Sequence, residues 1–129
     1  MLRTQVDSPT YEAKYYDPRG PQDLYFPVPA APYLKLSAVH DDKTGMLTLF
    51  ALNRSLSEEM PLRVAAKGFG ALKVDKALQL HHADLKAINT KETPDKVAPT
   101  SLPGVRIDGE HVLATLKPAS WNIIRVKAV

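Results

Sequence analysis

Several residues in this sequence have types and spacing that could do chemistry. His81-His82 is the first candidate for a metal site. Adjacent residues of a strand point to opposite faces, so the pair cannot easily grip one ion. The sequence therefore predicts a strand end with exposed imidazoles. His40-Asp41-Asp42 offers oxygen and nitrogen donors to a hard cation, but calcium needs six or more oxygens in a defined loop. A hairpin turn is the expected structure there, and no metal ligand is assigned. Glu58-Glu59 could act as an acid/base pair, yet no neighbour in that polar segment would raise one carboxyl above the other. Ser55, Ser57, Ser101 and Ser120 lack the strand-to-helix elbow that activates a serine nucleophile. Gly68-Phe69-Gly70 precedes no helix and so makes no phosphate cradle. No catalytic residue and no cofactor is called for.

The aromatic residues carry more. Tyr11, Tyr15, Tyr16, Tyr25 and Phe26 cluster in the first 26 residues, with Tyr33 close behind. Such rings either cover a neighbouring protein surface or stack on the CH-rich face of a sugar. Trp121 lies in an apolar strand and is expected in the core.

The elements that position these residues are strands. Residues 5–17 are rich in β-formers, and Pro9 breaks any continuous helix. Residues 18–32 hold five prolines, which forbid helix and central strand alike. From 15 to 32 the chain reads as a long proline-rich connection over the surface, and long connections of this kind are often functional or interfacial. Tyr33–Asp41 alternates apolar and polar, Asp41–Gly45 reads as a turn, and Met46–Asn53 is apolar on both faces. This predicts a hairpin whose second strand is central and buried on both sides. Leu62, Val64 and Ala66 restart the alternation, and the spacing in Leu72–Leu80 suits a strand with one bulge, with a short helix as the alternative. Ala83–Pro99 reads as a loop. Asp108-Gly109-Glu110 between two apolar runs is the strongest hairpin signal. Ser120–Val126 closes the chain as a last strand. Seven or eight short strands without a helix predict an all-β, antiparallel β-sandwich.

Composition narrows the class. The length of 129 residues fits one domain over residues 1–129. An apolar fraction of 44% with 24% charged residues suits a folded rather than a disordered chain. Eleven prolines against six glycines argue against long helices. The absence of cysteine removes disulfides, thiolate metal sites and thiol nucleophiles. A net charge of +3, with no run of basic residues, gives no nucleic-acid stripe. No apolar run is long enough for a transmembrane helix, and Met1-Leu2-Arg3-Thr4 leads into polar sequence rather than a signal peptide. The expected partners exclude nucleic acid and membrane, and the expected location is cytoplasmic.

Four segments together resemble the C-terminal domain of the α-L-arabinofuranosidases of glycoside hydrolase family 51. They are Val6-Asp7-Ser8-Pro9-Thr10-Tyr11; Pro32-Tyr33-Leu34 followed by the strand Leu47–Asn53 and Arg54; Asp84–Thr90 with Pro94–Pro99; and Leu116–Arg125. They occur in the family's order and cover nearly the whole chain. The resemblance implies a jelly-roll-like β-sandwich that packs on a catalytic (β/α)₈ barrel and helps subunits of a homo-oligomer assemble. The complete enzyme it implies removes terminal α-L-arabinofuranosyl groups from arabinan and arabinoxylan with retention, using two carboxylates about 5–5.5 Å apart. In the family both lie in the barrel, and the acid/base Glu follows Asn. Here Glu12, Glu58, Glu59, Glu92 and Glu110 follow other residues, and a barrel needs at least about 200 residues. This chain alone is therefore expected to be inactive. Tyr11, Tyr15, Tyr16, Tyr25 and Phe26 become candidates for the barrel-facing surface. The alternative is a carbohydrate-binding module that holds arabinose-containing polysaccharide on the same rings. The resemblance also implies that a strand from the parent's extreme N-terminus can complete the sandwich, which would leave an edge open here.

Overall fold

A computed structural model describes residues 1–16 and 25–129; for Tyr15, Tyr16, Tyr25 and Phe26 it describes the backbone only. Ten strands follow in chain order: β1 (Thr10–Tyr16), β2 (Tyr25–Pro32), β3 (Leu34–Asp41), β4 (Met46–Asn53), β5 (Met60–Ala65), β6 (Leu72–Leu80), β7 (Thr100–Ser101), β8 (Arg106–Asp108), β9 (His111–Leu116) and β10 (Ser120–Ala128). No helix occurs among the described residues. The expected all-β architecture is thus present, with β2 and β7 as strands that the sequence does not predict.

Period-two burial builds the larger sheet. In β4, Leu47, Leu49, Ala51 and Asn53 are buried, while Met46, Thr48, Phe50 and Leu52 between them are half-buried. β4 is central, as expected, but only one of its faces is fully covered. The apolar residues of its other face sit on the outside of the sheet. β10 alternates likewise, with Ser120, Asn122, Ile124 and Val126 inward. That parity puts Trp121 on the outer face, 45% exposed. The expectation of a core tryptophan is therefore wrong: the apolar run Ile123-Ile124 hides the alternation that turns Trp121 outward.

The sheet order is β3-β4-β10-β6-β7, all antiparallel. β6 carries the predicted bulge. Its register against β10 slips between Lys76 and Val74, leaving Asp75 as the extra residue. The bulged carboxylate lies 3.3 Å from Lys127 Nζ. A second sheet, β5-β9-β8, includes the Asp-Gly hairpin. Asp108 pairs with His111 across a two-residue loop, and Gly109 takes φ 58° at the first loop position, where a tight hairpin turn requires a residue without Cβ strain. Leu47, Leu49, Ile124 and Val126 of the larger sheet meet Leu62, Val112 and Leu116 of the smaller one in a single apolar core.

β1 and β2 form a separate two-stranded ribbon. The proline-rich segment is thus partly a strand, where a connection was expected. Prolines are tolerated because the ribbon has no central strand and because two residues, Pro29 and Ala30, bulge opposite Glu12. The register sets Tyr15 opposite Phe26 and Tyr16 opposite Tyr25 at the far end. The rest of the connection, residues 17–24, lies outside the described residues.

The β3–β4 turn is closed by Asp41. Its carboxylate accepts from the Thr44 hydroxyl at 2.7 Å and from the Lys43 amide at 3.0 Å, and Gly45, at φ 66°, donates to the Asp41 carbonyl. The Thr44 hydroxyl, followed by the Lys43 amide, holds the Asp41 carboxyl below its ordinary pKa. Such a group stabilises the fold above its unfolded pKa and loses that contribution as pH falls through the lowered value. Asp41→Ala should therefore lower the melting temperature at neutral pH, and the gap to the parent protein should close in strong acid. In urea unfolding, Leu49→Ala should cost about 2–5 kcal/mol, while Val39→Ala on the outer face should cost under about 1 kcal/mol.

Candidate functional site

The residues that carry the family resemblance converge on one end of the larger sheet, where β4 ends and β10 begins. Asn53 is in phase with Leu49 and Ala51, so β4 drives its amide into the interior, where it is fully buried. Its Nδ2 donates to the carbonyls of Glu58 and Lys117, both at 2.9 Å, with the Leu116 carbonyl at 3.3 Å. Its Oδ1 accepts from the Ser55 amide at 3.0 Å. One side chain thus ties the loop after β4 to the turn between β9 and β10. That turn returns the contact, since the Ala119 amide donates to the Ser55 carbonyl at 2.7 Å. Ser120 Oγ donates to the Lys117 carbonyl at 2.6 Å, and Asn122 Nδ2 donates to Ser120 Oγ at 2.9 Å.

Arg54 extends this clamp outward to the ribbon. Its Nε donates to the Pro32 carbonyl at 2.9 Å, and its Nη2 reaches the same oxygen. The guanidinium lies 5.4 Å from the centre of the Tyr11 ring, on whose side Tyr33 packs at 4.6 Å and 34°. Ser8 Oγ accepts from the Leu34 amide, and the Pro9 carbonyl accepts from the Tyr33 amide, both at 2.9 Å. The base of the ribbon is therefore fixed on the sandwich through Tyr11. Of the five aromatic candidates, Tyr11 is the one whose side chain is described. For Tyr15, Tyr16, Tyr25 and Phe26 the strand register alone is described, and it brings them together.

The other candidates stay apart. His81 and His82 follow β6 and bond to different groups: His81 Nδ1 to the Pro118 carbonyl at 2.8 Å, and His82 Nδ1 to the Asp84 amide at 3.0 Å. His40 Nδ1 pairs with Asp42 at 2.8 Å on the β3–β4 hairpin. Glu58 enters the clamp through its backbone only, donating its amide to Ser55 Oγ. Among the described residues, no three His, Asp or Glu side chains converge as a metal site. The sequence reading passed over Asn53 and Arg54 as functional residues. The signal was there in the parity of Asn53, two residues beyond Ala51 on the buried side of an apolar strand.

Asn53→Ala removes the acceptor of one buried amide and the donor of two carbonyls. Urea unfolding should register a loss of about 2–4 kcal/mol. A loss below about 0.5 kcal/mol would mean that the two turns hold without the clamp.

Residues 1–120 match the family described as alpha-L-arabinofuranosidase C-terminal domain. The chain is 35% identical over 125 residues to an intracellular exo-alpha-(1->5)-L-arabinofuranosidase of Streptomyces lividans, covering 97% of this chain and 17% of that protein. It is 28% identical to the enzyme of the same description from Halalkalibacterium halodurans, covering 22% of it. The chain therefore spans about a fifth of these relatives' length. Among solved structures, the thermostable GH51 alpha-L-arabinofuranosidase of Thermotoga petrophila superposes with a TM-score of 0.76 at 25% identity, over 95% of this chain and 24% of that one. These matches fall on the part of such enzymes that lies outside the catalytic barrel, and the barrel is absent from this chain. The chain belongs to the α-L-arabinofuranosidase C-terminal domain family of the family 51 glycoside hydrolases.

Proposed function

We propose that this sandwich serves as the non-catalytic C-terminal domain of a cytoplasmic, retaining α-L-arabinofuranosidase, where it packs on the (β/α)₈ barrel and helps subunits assemble. The barrel would remove terminal α-L-arabinofuranosyl groups from arabinan or arabinoxylan, and the sandwich would contribute stability rather than a catalytic group. The observation that carries this reading is the β1–β2 ribbon. Among the described residues it pairs with neither sheet, and a lone two-stranded ribbon is marginal in water. Arg54, Tyr11 and Tyr33 anchor its base. Its far end, with Tyr15, Tyr16, Tyr25 and Phe26, needs a further surface, and the relatives' remaining length is where that surface would come from.

A second feature supports assembly with more chain. β5 is an edge strand of the smaller sheet, and β3 is an edge strand of the larger. A cleft of about 550 Å³ opens beside them, lined by core residues Leu47 and Leu49 as well as Leu2, Thr4 and Val64. Leu2 and Thr4 bond to the β3 carbonyls of Ala38 and Leu36. The edge of β5, unpaired among the described residues, would take the additional strand that the family resemblance implies.

Sugar stacking on the same tyrosines has weaker support. The Tyr11 ring is held between Tyr33 and Arg54, which is packing rather than an open platform. In the longer enzyme carrying this sequence, Tyr15→Ser with Tyr16→Ser should lower the melting temperature by about 3 °C or more and leave kcat/KM unchanged. Unchanged melting together with weakened polysaccharide binding would overturn the packing role in favour of the carbohydrate-binding module.

A further inference from the structure

The outer face of the larger sheet is divided. Trp121 pairs with Leu52 on one side and Leu80 on the other, and Ile123 pairs with Phe50 and Leu78. This end is apolar. At the other end Arg125 pairs with Lys76, and Lys127 pairs with Lys73. The apolar end does not simply lie flat. The loop after β6 rises beside it and leaves a groove of about 240 Å³, with Leu52, Leu80 and Trp121 on the sheet side and Leu85 and Val97 on the loop side. Asn89 holds that loop in shape: its Nδ2 donates to the Val97 carbonyl at 2.9 Å, and its Oδ1 accepts from the Val97 amide at 2.7 Å. Phe50 backs the indole, with ring centres 6.3 Å apart and planes 18° from parallel.

We infer that this groove binds a neutral sugar ring, stacked on Trp121. Three observations fit that ligand class. The indole is half exposed yet supported from the side by Phe50, which gives a flat platform of fixed orientation for the CH-rich face of a ring. His81, His82 and Asp84 also line the groove. Both imidazoles are set in place by backbone bonds through Nδ1. The Pro118 carbonyl requires the proton on Nδ1 of His81, which makes its Nε2 an acceptor. His82 Nδ1 lies 3.1 Å from the Asp84 carbonyl and 3.0 Å from the Asp84 amide, so either tautomer of that ring has a backbone partner and its Nε2 can donate or accept. Ring nitrogens that donate or accept suit a hydroxyl, which does both. Finally, among the described residues Asp84 is the one carboxylate lining the groove and no Lys or Arg lines it, which disfavours an anionic ligand. The volume is below that of pockets for drug-sized molecules and suits one small ring. The site is separate from the ribbon tyrosines, so it stands or falls independently of the packing role.

Trp121 is the sole tryptophan, so its emission reports the site directly in the chain as it is. Titration with L-arabinose, an arabinotriose and a xylotriose should give a saturable change in the millimolar range with at least one of them. A response to the trisaccharides without one to arabinose would assign the groove to a chain end rather than to the free sugar. By calorimetry, Trp121→Ala should weaken binding at least about tenfold, and His82→Ala, which leaves the platform intact, should also weaken it. Tyr15→Ser with Tyr16→Ser should leave it unchanged. No saturable response to any of the three sugars overturns the inference. So does binding that survives both groove variants, or an indole already covered by a second copy of the chain in solution.

Discussion

A buried side-chain amide governs this fold. At the end of β4 the chain must leave the larger sheet, and four backbone groups in the two neighbouring turns lose the option of strand pairing. Asn53 supplies one acceptor and two donors at that point. An unpaired buried polar group costs far more than a made hydrogen bond returns. The two turns are therefore committed to each other as soon as Asn53 is inside. The β9–β10 turn, the start of β10 and the loop into β5 take their positions from it.

The outward arm of the same corner is Arg54. Its fork on the Pro32 carbonyl, with the Tyr11 face beneath it, converts the internal clamp into an anchor for the ribbon. Two successive residues thus serve opposite sides of the sheet: Asn53 joins the two layers of the sandwich, and Arg54 joins the sandwich to what projects from it. This alternation is the ordinary strand period carried one residue past the strand.

Much of the fold was legible in the sequence because strand alternation and turn chemistry are local signals. The β3–β4 hairpin, the Asp108-Gly109 hairpin and the bulge in β6 were all readable. The misreadings share one cause, which is that neighbours distant in sequence decide the outcome. Prolines at 27, 29 and 32 argue against a sheet strand but not against a two-stranded ribbon with a bulge. Trp121 is apolar, yet its parity with respect to Ile124 and Val126 puts it outside. Asn53 and Asn122 have surface composition but core parity. In both strands, phase was a better guide than residue type. The groove beside Trp121 could not be read at all, because it needs the loop that carries Leu85 and Val97, well before the tryptophan in sequence, to fold back over the sheet.

The sheet order has a kinetic consequence. β10, the last strand in this sequence, lies in the middle of the larger sheet, between β4 and β6. Until it arrives, β4 has one bare edge, β6 lacks its principal partner, and the core face of both is open. Contacts this distant along the chain are entropically slow to close. The sandwich must therefore wait for its final residues before it can fold cooperatively. A ribosome releasing this sequence would hold an aggregation-prone half-sheet until β10 has emerged.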